Sequence, residues 1–211
     1  MAGTIFWDVD TQVDFMVPEG KLYVPEAAEI TENLACLTRH ARERRIPRVA
    51  SVCDHVVEDA EISATPDFQG TFPPHCLRGT HGQQKIPATT MERPLLVPNQ
   101  PQDAALFRRQ VERHAGELLI EKNHFDVFTN PNTAVVLDAL APETIVVYGV
   151  AQDVCDAHAI AGFLRRGGCR IVFVADAAKP IDAHRGALLI EQWKRQGVVV
   201  ATTGDVLADR F

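Results

Sequence analysis

The strongest constraint on how this chain can fold is an alternation. Six short runs rich in β-branched and aromatic residues recur at 3–8, 47–53, 117–121, 143–149, 169–175 and 197–202. Each is apolar nearly throughout, which suits strands buried on both faces of a parallel sheet. Stretches of helical period lie between them. In residues 26–44, Ile30, Leu34, Leu37 and Ala41 share one helical face. Further helices are predicted over 103–115, from Asn130 (with Pro131 at the first helical position) to about Leu140, from Asp153 to the Gly167-Gly168 pair, and from Asp182 to about Gln196. Such a chain is expected to fold as an α/β protein, a three-layer α/β/α sandwich around a six-stranded parallel sheet. Its 211 residues suit a single domain, 1–211, and contain no repeat or linker-like tract.

Composition excludes several classes of function. The net charge of −7 is spread along the chain without a basic block, so nucleic acid is not an expected partner. No apolar run is long enough to span a membrane, and the first residues carry no secretion signal. The five cysteines, at 36, 53, 76, 155 and 169, show no C-x-x-C spacing. That argues against a disulfide framework or a zinc ribbon and suits a cytoplasmic protein.

Three chemically active residues fall at strand ends. Asp10 follows the first strand, Lys122 the third, and Cys155 the fourth, at a helix start. In a parallel sheet all three lie on the carboxyl edge, where sites form. A thiolate nucleophile is favoured at the first turn of a helix and beside a lysine, both of which lower a cysteine pKa. An aspartate can take the thiol proton and return it to a leaving amine. Backbone N–H groups around Ala151 and Cys155 can receive an oxyanion, with Gly149 permitting the turn. Taken singly, Cys155 reads as a packed hydrophobe, Asp10 as a turn residue and Lys122 as a solvated side chain; only the set points to chemistry. His158, one helical turn after Cys155, reads as pocket lining or a satisfied helix histidine. The proline-rich stretch 54–101 holds seven of the 13 prolines, and an irregular segment of that length is usually functional.

The motifs resemble those of the cysteine hydrolases that include nicotinamidase, N-carbamoylsarcosine amidase and isochorismatase. W-D-V-D-T-Q-V-D-F-M is similar to their D-x-Q-x-D-F opening, and F-P-P-H-C-L-R-G-T-H-G to the P-x-H-C-x-x-G-T-x-G segment of nicotinamidases. V-P-E-G-K-L-Y-V-P, I-E-K-N-H-F-D-V-F and G-V-A-Q-D-V-C-D-A-H-A resemble three further family segments, in order. The resemblance implies Asp10 as general base, Lys122 as electrostatic partner, Cys155 as nucleophile, an oxyanion hole at Ala151 and Cys155, and a cis peptide between Val150 and Ala151. It implies an amidase acting through a thioester, with nicotinamide first among substrates and ureido compounds or dicarboxylic monoamides after it. Gln12, Asp14 and Asp176 read as structural. Isochorismatase-type hydrolysis and a non-catalytic binding role are the alternatives.

The resemblance also implies a divalent metal (zinc, manganese or iron) and no organic cofactor. Asp54 and His75 match two nicotinamidase ligands, but the middle ligand falls at Val56, which cannot bind metal. The third donor stays open among His55, Glu58 and Glu61, with Asp59 beside them. The other reading has Asp54 and His75 bonded to each other as scaffolding. Phe15, Phe72, Phe125 and His158 are expected to line the pocket, with Tyr23 and Phe128 as further aromatics. The family suggests a homo-oligomer, dimer or tetramer, with a small amide as its ligand.

Overall fold

The computed structural model describes residues 3–211. Its frame is one sheet of seven parallel strands: β1 (Thr4–Val9), β2 (Arg48–Cys53), β3 (Leu95–Val97), β4 (Leu118–Lys122), β5 (Thr144–Val150), β6 (Arg170–Lys179) and β7 (Val199–Ala201), in the order β3-β4-β2-β1-β5-β6-β7. Every residue of β1 and β2 is buried, the polar Asp8, Arg48 and Ser51 included, as central strands covered on both faces require. One face packs Trp7, Ile120, Val147 and Phe173 under Phe107, Val136, Phe163 and Trp193. These come from α3 (Ala104–Arg113), α4 (Thr133–Leu140), α5 (Ala157–Arg166) and α6 (Ala183–Arg195). The other face packs Phe6, Tyr148 and Val172 under Leu34 and Leu37 of α2 (Thr31–Arg44) and Val206 of α7 (Thr203–Leu207). A one-turn helix, α1 (Val13–Met16), follows β1.

The expected sandwich is present with one strand more than expected. The seventh, β3, pairs only with β4 at the sheet edge. It has three residues, flanked by Pro94 and Pro98, so it carries no periodic signal, and an edge position tolerates the prolines beside it. The helix expected from Asn130 begins at Thr133. Asn130 instead donates to the carbonyls of Glu121, Val97 and Pro98, joining the ends of β4 and β3. The fourth expected helix opens with a π turn, Gln152–Asp156, before α5 begins at Ala157. It stops at Gly167, whose φ of 66° lies in the left-handed region. Asp182 caps α6 by accepting the His184 and Arg185 N–H groups.

A charged network that sequence reading did not anticipate lies within the sheet. Arg48 is 1% exposed and Asp8 is fully buried; their closest N···O distance is 3.5 Å. Arg48 also meets Glu117 at 2.7 Å and donates to Thr38, while Lys85 reaches Asp8 at 3.1 Å. Burial opposes ionisation of Arg48, but Asp8, Tyr148 and Glu117 hold its pKa above the usual value. This cluster fastens β1 and β2 to the segment around Lys85. Replacing Arg48 by Met strands part of the Asp8 charge, so urea denaturation is expected to show a loss of about 3–5 kcal/mol.

Candidate active site

The carboxyl edge of the sheet brings Asp10, Lys122 and Cys155 together. Asp10 is the first residue beyond β1, and its φ of 47° turns the chain out of the strand. Ser51 of β2 donates to its Oδ1 at 2.7 Å, and the Asp10 N–H returns a bond to the Ser51 carbonyl. Lys122, the last residue of β4, sends its ammonium sideways. Its Nζ lies 2.8 Å from Asp10 Oδ2, 3.1 Å from Cys53 Sγ and 3.8 Å from Cys155 Sγ. Cys155 sits on the π turn, where the Asp156 N–H bonds the Ala151 carbonyl five residues back at 3.1 Å; such turns recur at functional positions. The peptide from Val150 to Ala151 is cis, as the resemblance implies. Gly149 ahead of it has φ 132°, and a Cβ there would collide with the Val9 carbonyl.

The electrostatics are those of a closed pair with a neutral thiol beside it. Burial opposes the Asp10 charge, but the Lys122 ammonium and the bonds from Lys122, Ser51 and Cys155 hold its carboxyl below the usual value. Lys122 is likewise opposed by burial and held protonated by Asp10. Cys155 departs from the sequence expectation. Burial pushes its thiol well above the usual value despite Lys122, because the Asp10 charge also opposes a thiolate there. At rest Cys155 is therefore an SH group next to a carboxylate. Asp156 is fully buried, and neither of its oxygens has a hydrogen-bond partner among the described residues; burial pushes its carboxyl well upward.

Connections between strands form the walls. A narrow apolar cleft is bordered by Cys155 and Ala151, with Phe15, Phe72 and Phe125 at its sides and Ile181 at its rim. His158 does not line it. Its ring packs at a tilt against Phe125, centroids 4.6 Å apart, as backing for the wall. Tyr23 and Phe128 also lie away from it; Phe128 packs edge-on against Phe163 at 5.6 Å. Three buried polar side chains fix the walls. Gln12 Nε2 donates to the Cys53 and Gln83 carbonyls while its Oε1 accepts the Cys53 N–H. Asp14 accepts from Cys76 and Lys21. Asp153 accepts the N–H groups of Ile181 and Asp182. Asp176 caps α7 by accepting from Thr203.

The expected metal ligands are rearranged. Asp54 faces away from the cavity, accepting a forked contact from Arg78 and a bond from Gln83, so it neither meets a metal nor pairs with His75. Glu58 and Val56 are exposed. In their place Cys53, His55 and His75, all buried, bring one ligand atom each within 4.8 Å of one another. Cys53 is the residue that sequence reading missed. The missed signal is strand alternation: β2 ends at Cys53, and residues 53 and 55 share a side while 54 points away. Glu61 Oε1 lies 3.7 Å from both His55 Nε2 and His75 Nε2.

Two tautomers follow from the outer partners. His55 Nδ1 faces the Asp59 carboxylate at 3.3 Å and His75 Nδ1 the Pro73 carbonyl at 2.8 Å, acceptors both. Each Nδ1 must carry the proton, which leaves each Nε2 a bare lone pair. Burial drives both imidazoles toward the neutral form, His55 down to about 4. His55 Nε2 and Glu61 Oε2 find no hydrogen-bond partner among the described residues. Converging lone pairs backed by outer acceptors fit a divalent cation.

Comparison with known proteins agrees with this fold. The sequence matches the isochorismatase domain family over residues 5–205, and the chain belongs to that family. No curated protein sequence matches it. Among solved structures, a nicotinamidase from Bacillus subtilis shares 18% identity over 94% of this chain and 99% of its own, with a TM-score of 0.72. A pyrazinamidase of Pyrococcus horikoshii in complex with zinc shares 21% over 95% and 99%, at 0.71. An N-carbamoylsarcosine amidase from Thermoplasma acidophilum shares 23% over 95% and 96%, at 0.69. At these identities the likeness is one of fold.

The Lys122–Asp10 pair makes a signed pH prediction. Asp10 is held below 3.8 in the folded protein, so the pair stabilises above that pH and its contribution fades as pH falls. In Lys122→Met burial, the largest influence on Asp10, is opposed only by the Ser51 and Cys155 bonds and raises its pKa, so that variant is most stable in acid and weakens as pH rises. Urea denaturation is expected to show a wild-type advantage of about 3–5 kcal/mol at neutral pH that shrinks toward acid.

Proposed function

We propose that this protein is an amidohydrolase that cleaves a small, uncharged, planar amide through a thioester on Cys155. The observation that carries the reading is Lys122 Nζ placed 2.8 Å from Asp10 and 3.8 Å from Cys155 beside an apolar cavity. Asp10 takes the Cys155 proton as Sγ attacks the amide carbon. The Asp10–Lys122–Cys155 set is neutral before the transfer and neutral after it, so no net charge is created in the buried site. The oxyanion is received by the Ala151 and Cys155 N–H groups. Protonated Asp10 then gives its proton to the leaving nitrogen, the C–N bond breaks, and ammonia departs from the thioester. Water, deprotonated by Asp10, attacks the thioester; the C–S bond breaks and the thiol recovers its proton.

The cavity supports a choice among substrates. No arginine or lysine side chain lines it, and Glu61 adds a carboxyl group to its wall. An N-carbamoyl amino acid or a dicarboxylic monoamide would bring a carboxylate to a wall without an arginine or lysine among the described residues and beside the Glu61 carboxyl. A neutral heteroaromatic amide such as nicotinamide or pyrazinamide fits the aromatic sides. The zinc, manganese or iron that the family resemblance implies would be held by Cys53, His55 and His75. When bound, it would supply Lewis acidity and an anchor for a substrate lone pair. The non-catalytic alternative rests on Val56 at a ligand position; Val56 is exposed, and Cys53, His55 and His75 offer donors in its place, which supports the amidase reading.

Ammonia release is expected from nicotinamide or pyrazinamide and not from N-carbamoyl amino acids or maleamate. Cys155→Ala is expected to lower kcat/KM by at least about 10³-fold. Turnover retained in that variant would overturn the thioester route. A preference for the carboxylate substrates would overturn the assignment of an uncharged one.

A further inference from the structure

We infer that Cys53 binds the metal as a thiolate and that Glu61 supplies the fourth donor, giving a mixed sulfur, nitrogen, nitrogen, oxygen cage for a thiophilic divalent cation of the zinc type. The inference rests on the metal-site reading above and is independent of which amide is cleaved.

Four observations converge on it. Cys53, His55 and His75 present ligand atoms within 4.8 Å of one another, and Glu61 Oε1 stands 3.7 Å from both imidazole Nε2 atoms. Ligands around tetrahedral zinc at about 2.0–2.3 Å are themselves separated by roughly 3.3–3.8 Å, the spacing at which Glu61 Oε1 already stands from each imidazole. The outer partners Asp59 and Pro73 point both Nε2 lone pairs inward. Glu61 keeps its Oε2 unpartnered among the described residues while buried beside them. Lastly, Lys122 Nζ lies 3.1 Å from Cys53 Sγ, so a cation already faces the sulfur that must lose its proton.

On binding, the S–H bond of Cys53 breaks, the metal–sulfur bond forms, and the proton leaves to solvent. A thiolate among the donors selects for zinc, cobalt or cadmium over harder manganese or magnesium. Lys122 then serves two centres through one ammonium. It holds Asp10 for proton transfer and donates to the metal-bound sulfur from outside the coordination shell.

The test reads the metal and needs no turnover. Metal-free protein is loaded with one equivalent of cobalt(II) and, separately, zinc(II). The expected results are binding at one per chain, a near-ultraviolet sulfur-to-cobalt charge-transfer band, and one zinc–sulfur distance of about 2.3 Å by X-ray absorption fine structure. Cys155→Ala should keep both signals and Cys53→Ser should lose them. Cys53→Asp should lower the preference for zinc over manganese at least about tenfold. Zinc absorption on the wild type and Cys155→Ala decides the matter even if the Cys53 variants fail to fold. A shell of nitrogen and oxygen alone, loss of the sulfur signal in Cys155→Ala, or no stoichiometric binding would each overturn the inference. Amide hydrolysis by a protein that fails this test would leave the amidase reading standing.

Discussion

The ammonium of Lys122 is the group on which the site depends. It is 1% exposed, and a bare charge so placed would cost several kcal/mol. Asp10 answers it at 2.8 Å, and two sulfurs complete its surroundings. The pair couples the ends of β1 and β4 across β2, and Ser51 of β2 holds Asp10 from between them. The arrangement restrains both partners. Asp10 cannot turn away without leaving Lys122 unpaired, and Lys122 cannot reach solvent without abandoning Asp10. The thiol of Cys155 is thereby offered one acceptor in one geometry. Its neutrality at rest follows from the same pair, since a thiolate would be a second buried anion competing for a single cation.

Much of this could be read in the sequence, and the reason is topological. A parallel sheet sends every strand end to one edge, so Asp10, Lys122 and Cys155 could be placed together from strand boundaries good to a residue or two. Asp182 as a helix cap, Gly167 as a helix stop and the inward face of α2 came from equally local rules. What failed was register. Taking Asp54 and Val56 as ligand positions displaced the reading by one residue, and on an extended segment that exchanges the cavity side for the opposite one. Cys53 and His55 lie one way, Asp54 and Val56 the other. Every residue of β2 is buried, and Asp54 with it, so burial alone did not mark which side faces the cavity.

Other misses share a different cause. The Arg48–Asp8–Lys85 cluster, the knot tied by Asn130 and the hold of Asp153 on residues 181–182 are long-range polar contacts. Composition and periodicity record only whether a residue is polar, and each of these looks like an ordinary surface or capping residue. Asp153 and Asn130 were both expected at helix starts. Both are spent on carbonyl or amide groups of distant segments instead, because a buried chain must satisfy its backbone wherever it runs. Strand β3 was lost for want of length.

The cavity divides labour between two kinds of chain. Its reacting groups stand at strand ends, fixed by the sheet and by one another. Its sides come from connections: Phe15 and Val24 before α2, Glu61 and Phe72 in the long segment after β2, Phe125 after β4, and Ile181 after β6. Those connections are fastened near the floor by Gln12, Asp14 and Asp153, while their apolar tips line the cavity. A change of tip residue can thus remodel what the enzyme accepts without disturbing how it reacts. A lineage built on this plan can diversify its diet of molecules by editing a handful of loop positions, with the catalytic edge inherited intact.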